Sequence, residues 1–464
     1  MKIEIGKTEV IHFVGIGGIG MSGLALIMKN KGFNVQGSDI SLNKNIERLK
    51  KENLKIVIGH NKKNVNSATI LVISSAIKSN NPEVIEAKNK NLPIYKRGEM
   101  LAHIVSLTQN IVVAGSHGKT TTTSLIAAIF SNSNLDPTII NGGVLNSIKK
   151  SAQLGKSNWC ILESDESDGS FVKVPSTYSI ITNIDKEHMD YYKSMKNLKR
   201  EFSFFINNVP SFGKSFICID DKNNREILNE IKNKNFYTYG LDKKANFQIS
   251  KVSFNQNFSK FNINIRLPGK KNFIFKNLKV PLLGMHNIKN TAAAVAVCLN
   301  IGIPKSKIKK GLKNFQGVQR RFNWIFNFRK ASFFDDYAHH PTEIREVLDG
   351  VKNVYKKEEI ICVFQPHRIS RLNTLRKEFS NSFKKANTVI LCPVYRAGEK
   401  IKLKFNYLKF AKEVQSNSNV KVFLIKNNVE LAKFIKQYIY EKKIVIGMGA
   451  GSISNWIREL PKIL

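Results

Sequence analysis

The sequence predicts an α/β protein made of three successive sheet-and-helix segments, and three observations predict it. Short apolar runs alternate with helical stretches through residues 1–106 and again beyond Gly317. Two of these runs lead straight into a glycine turn and a helix, at Gly15–Gly20 and at Gly115–Thr120. Between the two outer segments, residues 245–283 change rhythm to a period of two, as in FNINIRL and NFIFKNLKV, which reads as an antiparallel insertion. With roughly 100–200 residues per domain, 464 residues make room for three: 1–106, 107–316 and 317–464.

In the first segment the runs Val10–Val14, Asn34–Gly37 and Ile70–Ile73 alternate with helices, a βαβ pattern that favours a parallel sheet covered on both faces. The second opens at Asn110 with the strand IVVAG and continues with strands at Trp159–Glu163, Ser179–Thr182 and Ser215–Ile219. It closes on an alanine-rich helix at Thr291–Cys298. In the third, strands at Ser332–Phe334, Ile360–Phe364, Thr388–Leu391, Lys421–Ile425 and Lys443–Ile446 alternate with helices. The expected fold is therefore a Rossmann-like N-terminal domain, a central P-loop ATPase-like mixed sheet with an antiparallel insertion, and a Rossmann-like, doubly wound C-terminal domain.

Composition narrows the function classes. The chain carries no run of ~18 apolar residues, so no membrane-spanning helix is expected. Its first residues lead into a strand and lack the apolar block of a secretory signal, so a cytoplasmic location is expected. Cys160, Cys218, Cys298, Cys362 and Cys392 are scattered and form no C-x-x-C pair, as suits reduced thiols. The net charge of +39 comes from lysines spread evenly along the chain rather than from one block. No basic–aromatic face is evident, so a nucleic-acid partner is not expected. The field still favours encounter with polyanionic nucleotides. A monomer or homodimer is expected.

Four groups of residues carry chemistry. Gly15, Gly17, Gly18, Ile19 and Gly20 lie between the strand IHFV and a helix. Glycines there permit a tight turn, and the helix N-terminus offers amide groups to a diphosphate. Asp39 follows 19 residues beyond Gly20, where a carboxylate can accept bonds from ribose hydroxyls. Ser74 and Ser75 end the strand ILVI and either donate to phosphate or form a plain turn. The motif means a dinucleotide or a nucleotide diphosphate, not NAD in particular. The second group, Gly115, Ser116, His117, Gly118, Lys119, Thr120 and Thr121, also sits between strand and helix. Its amide groups and Lys119 suit the β- and γ-phosphates of ATP, with the Thr120 hydroxyl on Mg²⁺. The usual first glycine of such a loop is replaced by Val113, so this is a shortened variant.

The third group is the acidic run Glu163-Ser-Asp165-Glu166-Ser-Asp168 after the strand WCIL, the densest acid cluster in a basic chain. A carboxylate at a strand end beside a phosphate loop suits a hard cation such as Mg²⁺ or Mn²⁺. His188, after another strand end, can converge on the same metal, so the expected ligands are Thr120, Glu163 and His188. The fourth group contains Asn290, Arg320, Arg321, Asp336, Tyr337, His339, His340, His367, Arg368 and Arg371. The histidines could bind a metal, but arginines so close would repel a cation. They suit carboxylate or phosphate recognition instead.

Taken in series, HFVGIGGIGMSGLA, GSHGKTTTTS, ESDESDGSF, TNIDKEHMD, GMHNIKNTAAA, RRF, DDYAHHPTEI, QPHRISR, VYRAGE and GMGAGSI span the chain and resemble the Mur ligase superfamily. The resemblance implies ATP-dependent joining of an amino acid to a nucleotide-sugar carboxylate, here L-alanine to UDP-N-acetylmuramate, through an acyl phosphate. It implies that Gly15 to Gly20 face the UDP diphosphate, and that Lys119 and Thr120 hold ATP and Mg²⁺ with Glu163 and His188. Asn290, Arg321 and Asp336 then meet the nucleotide, while Tyr337, His339, His367, Arg368 and Arg371 frame the amino acid. Lys119, Glu163, His188 and His339 are the expected catalytic residues. Two positions depart from the family. Sister ligases carry a carbamylated lysine near the place of Ser203, where the nearest lysine is Lys199. Ile369 stands where an aromatic is usual. Two rivals differ in class or substrate: an NAD-dependent oxidoreductase, which would need no second phosphate loop, and a recycling ligase that adds a whole peptide to the same sugar.

Overall fold

The computed structural model describes residues 8–106, 108–399 and 405–464. Three sheets organise it, and its contacts divide it into two compact units. One comprises the residues up to Lys251 with Phe261–Lys279 and Lys289–Gln316; the other comprises Val252–Lys260, Val280–Ile288 and Gly317–Leu464.

The first sheet holds β1 (Val10–Val14), β2 (Asn34–Asp39), β3 (Lys55–Ile58), β4 (Ile70–Ile73) and β5 (Ile94–Lys96) in the order β3-β2-β1-β4-β5. Every pairing is parallel. Period-two alternation sends Ile11 and Phe13 of β1 into one apolar cluster, with Leu24 and Ile27 of helix Ile19–Asn30. Val14 goes to a second cluster on the other face, with Val84 and Ala87 of helix Pro82–Asn89. His12 points to that second face as well, where its partner is Glu83.

The central sheet contains β6 (Gln109–Ala114), β7 (Thr138–Leu145), β8 (Lys150–Gln153), β9 (Trp159–Glu163), β10 (Tyr178–Ile181), β11 (Lys214–Cys218), β12 (Phe236–Gly240), β13 (Phe247–Phe254), β14 (Ser259–Ile265) and β15 (Phe273–Val280). Their order is β15-β14-β13-β12-β11-β10-β6-β9-β7-β8. β6 lies between β9 and β10, parallel to both, so the loop that follows it emerges at the middle of the sheet. The alternating segment 245–283 supplies the last three strands, and it enters the sheet parallel to β12 through Tyr239↔Phe247. Helix Lys119–Ser131 after β6 is buried along most of its length. β7 and β8 pair antiparallel.

The third sheet runs β16-β17-β21-β18-β19-β20, from β16 (Asn323–Phe328), β17 (Ala331–Asp336), β18 (Glu359–Phe364), β19 (Thr388–Leu391), β20 (Lys421–Leu424) and β21 (Lys443–Met448). Only the edge strand β16 is antiparallel. Ile360, Cys362 and Phe364 of β18 feed one apolar layer and Ile361 and Val363 the other, which is the signature of a doubly wound sheet. All five cysteines are buried free thiols. Among the described residues no helix is long and apolar enough to cross a membrane.

Candidate functional site

Strand β1 delivers Gly15 in a left-handed conformation, φ +81°, which a side chain would strain. The amides of Gly15 and Ile16 both donate to the carbonyl of Ser38 at 2.9 and 3.0 Å. Gly17 donates to Asp39 Oδ2 at 2.8 Å, and a Cβ on Gly17 would fall 2.5 Å from Asn43 Nδ2. Asp39 therefore braces the turn itself. Gly18 caps helix Ile19–Asn30 without a side-chain bond. Ser74 meets the same turn: its amide donates to Val14, and its Cβ would lie 3.2 Å from one on Gly15. Arg97, absent from the expected site, stands against Gly20, its guanidinium 3.2 Å from where a Cβ would project.

Beneath the turn lies a buried polar network. Glu83 accepts from Ser38 Oγ at 2.6 Å and Asn64 Nδ2 at 2.5 Å, with His12 Nε2 and His60 Nδ1 each 3.4 Å from Oε2. Burial works to raise its pKa. The hydrogen bonds from His12, Ser38 and Asn64 outweigh burial and hold the carboxyl down at about 2.

At the end of β6, Gly115 adopts φ +130°, and a Cβ there would sit 2.1 Å from Thr182 Oγ1. Gly118, φ +84°, is the N-cap of the following helix, and a Cβ on it would lie 2.5 Å from Asn290 Oδ1. Asn290 is thus brought onto the loop. Thr182 and Asn183 at the end of β10 fix the loop from beside it: Thr182 Oγ1 donates to His117 O at 2.6 Å, and His117 N donates to Asn183 Oδ1 at 2.9 Å. Ser116 Oγ accepts from Asp185 N at 2.8 Å. Lys119 Nζ donates to Gly115 O, Ser116 O and Glu166 Oε2 at 2.6, 3.2 and 2.8 Å. Burial opposes its charge, but Glu166, Asp165 and Glu163 more than compensate and push the pKa up, so the ammonium is held. Thr121 is buried in the first helical turn.

Glu163 Oε2 accepts from Thr120 Oγ1 and from Gly142 N, each at 2.8 Å. A Cβ at 142 would come within 2.7 Å of that carboxylate, so a side chain there would push Glu163 aside. His188, φ +55°, gathers instead with Asp165 and Glu166, their ligand atoms all within 4.8 Å of one another. Glu166 Oε1 is buried and has no hydrogen-bond partner. At the place where a carbamylated lysine might stand, Ser203 is buried, and the ammonium of Lys199 pairs with Glu226.

In the second unit Asp336 ends β17 and accepts from Phe322 N and Ala338 N, both at 2.7 Å. Burial raises its pKa to about 6 despite Arg321. Four rings follow one another around the strand ends. Tyr337 and His339 have centroids 5.1 Å apart, His339 and His367 5.7 Å, and His367 and Tyr395 5.6 Å with planes 15° apart. Arg320 and Arg321 stack on Tyr337 at 4.8 and 5.3 Å, and Arg371 reaches His367 Nδ1 at 3.4 Å. Burial lowers His339 to about 3, helped by Arg371, and lowers His367 to about 4, helped by Arg371 and Arg368. Both rings are neutral near pH 7, so positive charge here belongs to the arginines. Arg368 itself has φ +68°. His340 is the N-cap of helix Pro341–Val354, with Nδ1 accepting from Thr342 N.

Tyr395 and Glu399 are the residues that motif reading missed in this unit. Arg368 N donates to Tyr395 O, and Ile369 N to Glu399 Oε2 at 2.8 Å. The signal was an aromatic and an acid just beyond the strand TVIL, in a motif quoted for resemblance but given no role. In the first unit the missed residues are Glu83 and Arg97, while Glu166 was named in the acidic run without a role of its own.

Sequence profiles of the Mur ligase family match along the chain. The catalytic-domain profile covers residues 10–109, the middle-domain profile 113–298, and the profile described as Mur ligase, glutamate ligase domain, 320–451. The chain belongs to the Mur ligase family. A UDP-N-acetylmuramate–L-alanine ligase of Pelagibacter ubique is 68% identical over 464 residues, 100% of both chains. One from Bartonella bacilliformis is 40% identical over 467 residues, covering 100% of this chain and 98% of the other. Among solved structures, UDP-N-acetylmuramate-alanine ligase MurC of Thermotoga maritima superposes with a TM-score of 0.81 at 27% identity, covering 97% of this chain and 98% of that one. A murein peptide ligase of Psychrobacter arcticus shares the fold, with a TM-score of 0.72 at 21% identity and 98% coverage of each.

Proposed function

We propose that the protein joins L-alanine to the lactyl carboxylate of UDP-N-acetylmuramate at the expense of ATP. The observation that carries this reading is end-to-end similarity, 68% over 464 residues, to a protein bearing that activity in its name. The arrangement of charged groups supports it.

A carboxylate acylates an amine poorly because its leaving group would be oxide. The carboxylate oxygen attacks the γ-phosphorus, the bond to the β-bridging oxygen breaks, and ADP departs. The amine of alanine then attacks the acyl carbon, sheds its proton, and phosphate leaves. Lys119 is the fixed positive charge for the phosphates in the first step. The Gly15–Gly20 turn and Arg97 suit the UDP diphosphate, and Arg368 and Arg371 suit the carboxylate of alanine. The domain roles follow: residues 1–106 for the UDP-sugar, 107–316 for ATP, 317–464 for the amino acid.

The donor set fits a hard divalent cation. Of the expected ligands, Thr120 and Glu163 meet each other while His188 stands with Asp165 and Glu166, so Mg²⁺ or Mn²⁺ would draw its protein ligands from these two neighbouring groups; Glu166 Oε1 has no competing hydrogen bond. Such an ion supplies charge neutralisation at the phosphates when bound. A cytoplasmic place accords with substrates of this kind.

The test is phosphate release from ATP by the purified protein with UDP-N-acetylmuramate and each amino acid in turn. L-Alanine should be the best acceptor, with L-serine and glycine used detectably. ATP consumption only with an L-Ala-D-Glu-containing tripeptide would overturn the assignment.

A further inference from the structure

The four-ring arc ends on Tyr395, and three observations single this residue out. Its backbone is locked to the segment before Arg368: Tyr395 N donates to Pro366 O at 2.8 Å, Arg368 N donates to Tyr395 O at 2.9 Å, and His367 and Tyr395 form a parallel bridge. That bridge fixes the point from which the ring projects. Second, Gly451 is shaped to it, because a Cβ there would fall 2.5 Å from Tyr395 Cγ and 2.6 Å from its Cβ. Third, Tyr395 is 43% exposed although it lies almost flat on the His367 ring. A large aromatic left open next to His367, the ring that Arg371 reaches, has an apolar face to offer a ligand. Ile369 has none to offer, since it is 3% exposed and turned into the core.

From this placement we infer that Tyr395 is the specificity-determining wall of the amino-acid site, limiting the side chain to the size of a methyl group. The inference rests on the L-alanine reading above. The arginines hold the amino acid by its carboxylate, which every amino acid has, so they cannot tell alanine from a larger residue. Discrimination against extra carbons has to come from an apolar surface held in place, and a ring projecting from a bridged backbone, parallel to His367 and seated over a glycine, is one.

Three variants test it, each assayed with L-alanine, glycine, L-valine and L-leucine. Tyr395→Ala should raise the ratio of kcat/KM for L-valine over L-alanine at least tenfold and leave the KM values for ATP and the UDP-sugar within twofold. Tyr395→Trp should move the ratio of glycine over L-alanine up by at least threefold. Tyr395→Phe should keep the wild-type spectrum, because the wall is the ring and not the hydroxyl. A merely structural role would lower all rates together and leave both ratios unchanged. Unchanged ratios in a folded Ala or Trp variant overturn the inference. Failure of the wild-type protein to consume ATP with L-alanine overturns the underlying reading instead, and the two failures are distinct.

Discussion

Glu83→Gln is the sharpest probe of how the N-terminal turn is held. Glu83 is fully buried and its carboxyl is held at about 2 against an ordinary 4.5. At about 1.4 kcal/mol per unit, that depression corresponds to about 3 kcal/mol of folding stability. Because the pKa is lowered, the unfolded chain binds more protons than the folded one between about 4.5 and 2. The stabilisation is therefore complete above about pH 4.5 and drains away as the pH falls toward 2. Glutamine keeps the shape but offers one acceptor oxygen where Ser38 Oγ, Asn64 Nδ2 and Asn61 N now converge on two. Losing charge-assisted bonds while leaving a buried donor unpaired costs about 2–4 kcal/mol. Urea unfolding followed by tryptophan fluorescence at pH 7 should show that loss. The gap between variant and wild type should narrow as the pH is lowered from 5 to 3. Ser38 also carries the carbonyl that receives Gly15 N and Ile16 N, so the KM for the UDP-sugar should rise severalfold while that for ATP stays put. A loss below about 0.5 kcal/mol at pH 7 would refute the reasoning.

Lys119→Ala should lower kcat by about 10²–10³ with an unaltered circular dichroism spectrum, and wild-type turnover would remove Lys119 from the chemistry. Arg371→Ala should raise the KM for L-alanine at least tenfold and leave the KM for ATP within twofold, as steady-state titration of each substrate will show. His339 and His367, held at about 3 and about 4, favour the neutral form in the fold. Their contribution is present above about pH 6.5 and lost as the pH falls below it, while Asp336, raised to about 6, opposes them with a smaller shift. Thermal melts of His367→Gln should accordingly fall less steeply between pH 6.5 and 4.5 than those of the wild type.

Strands whose residues are buried on both faces were legible in the sequence. Val10–Val14, Ile70–Ile73, Trp159–Glu163 and Thr388–Leu391 lie where their uninterrupted apolar runs predict. β3 is half exposed, and β7 carries the Asn141-Gly142-Gly143 interruption, so neither reads as a strand. The glycine loop between β6 and helix Lys119–Ser131 was legible because its residues are consecutive. What could not be read was which particular side chains meet across the sheet. Glu83 looks like an ordinary helix-start acid until β1 and β2 bring His12 and Ser38 to it. Likewise His188 falls beside Glu166, 22 residues earlier, only through the neighbouring ends of β9, β6 and β10.

In the proposed reaction, charge polarity suits each strand-end site to a different substrate. Around Lys119 the fold collects Glu163, Asp165 and Glu166, in a chain whose net charge is +39. Arg97 and His188 act on Asp165 as well, yet one ammonium faces three carboxylates. Buried negative charge of that density is costly unless it is matched. A nucleotide arriving there as a bare polyanion would add to the repulsion. One arriving with a divalent cation reverses it, since the cation is attracted to the carboxylates and the phosphates to Lys119 and the loop amides. The rings of the second unit have the opposite balance. His339 and His367 are neutral, Arg320 and Arg321 stand over Tyr337, and Arg371 reaches His367, with Glu343 3.3 Å from His339 and Asp335 3.9 Å from Arg320 as carboxylates among them. The guanidinium groups of that arc suit the carboxylate of an amino acid. Metal-dependent phosphate chemistry at one site and carboxylate capture at the other are what an ATP-driven amide ligation requires of its residues.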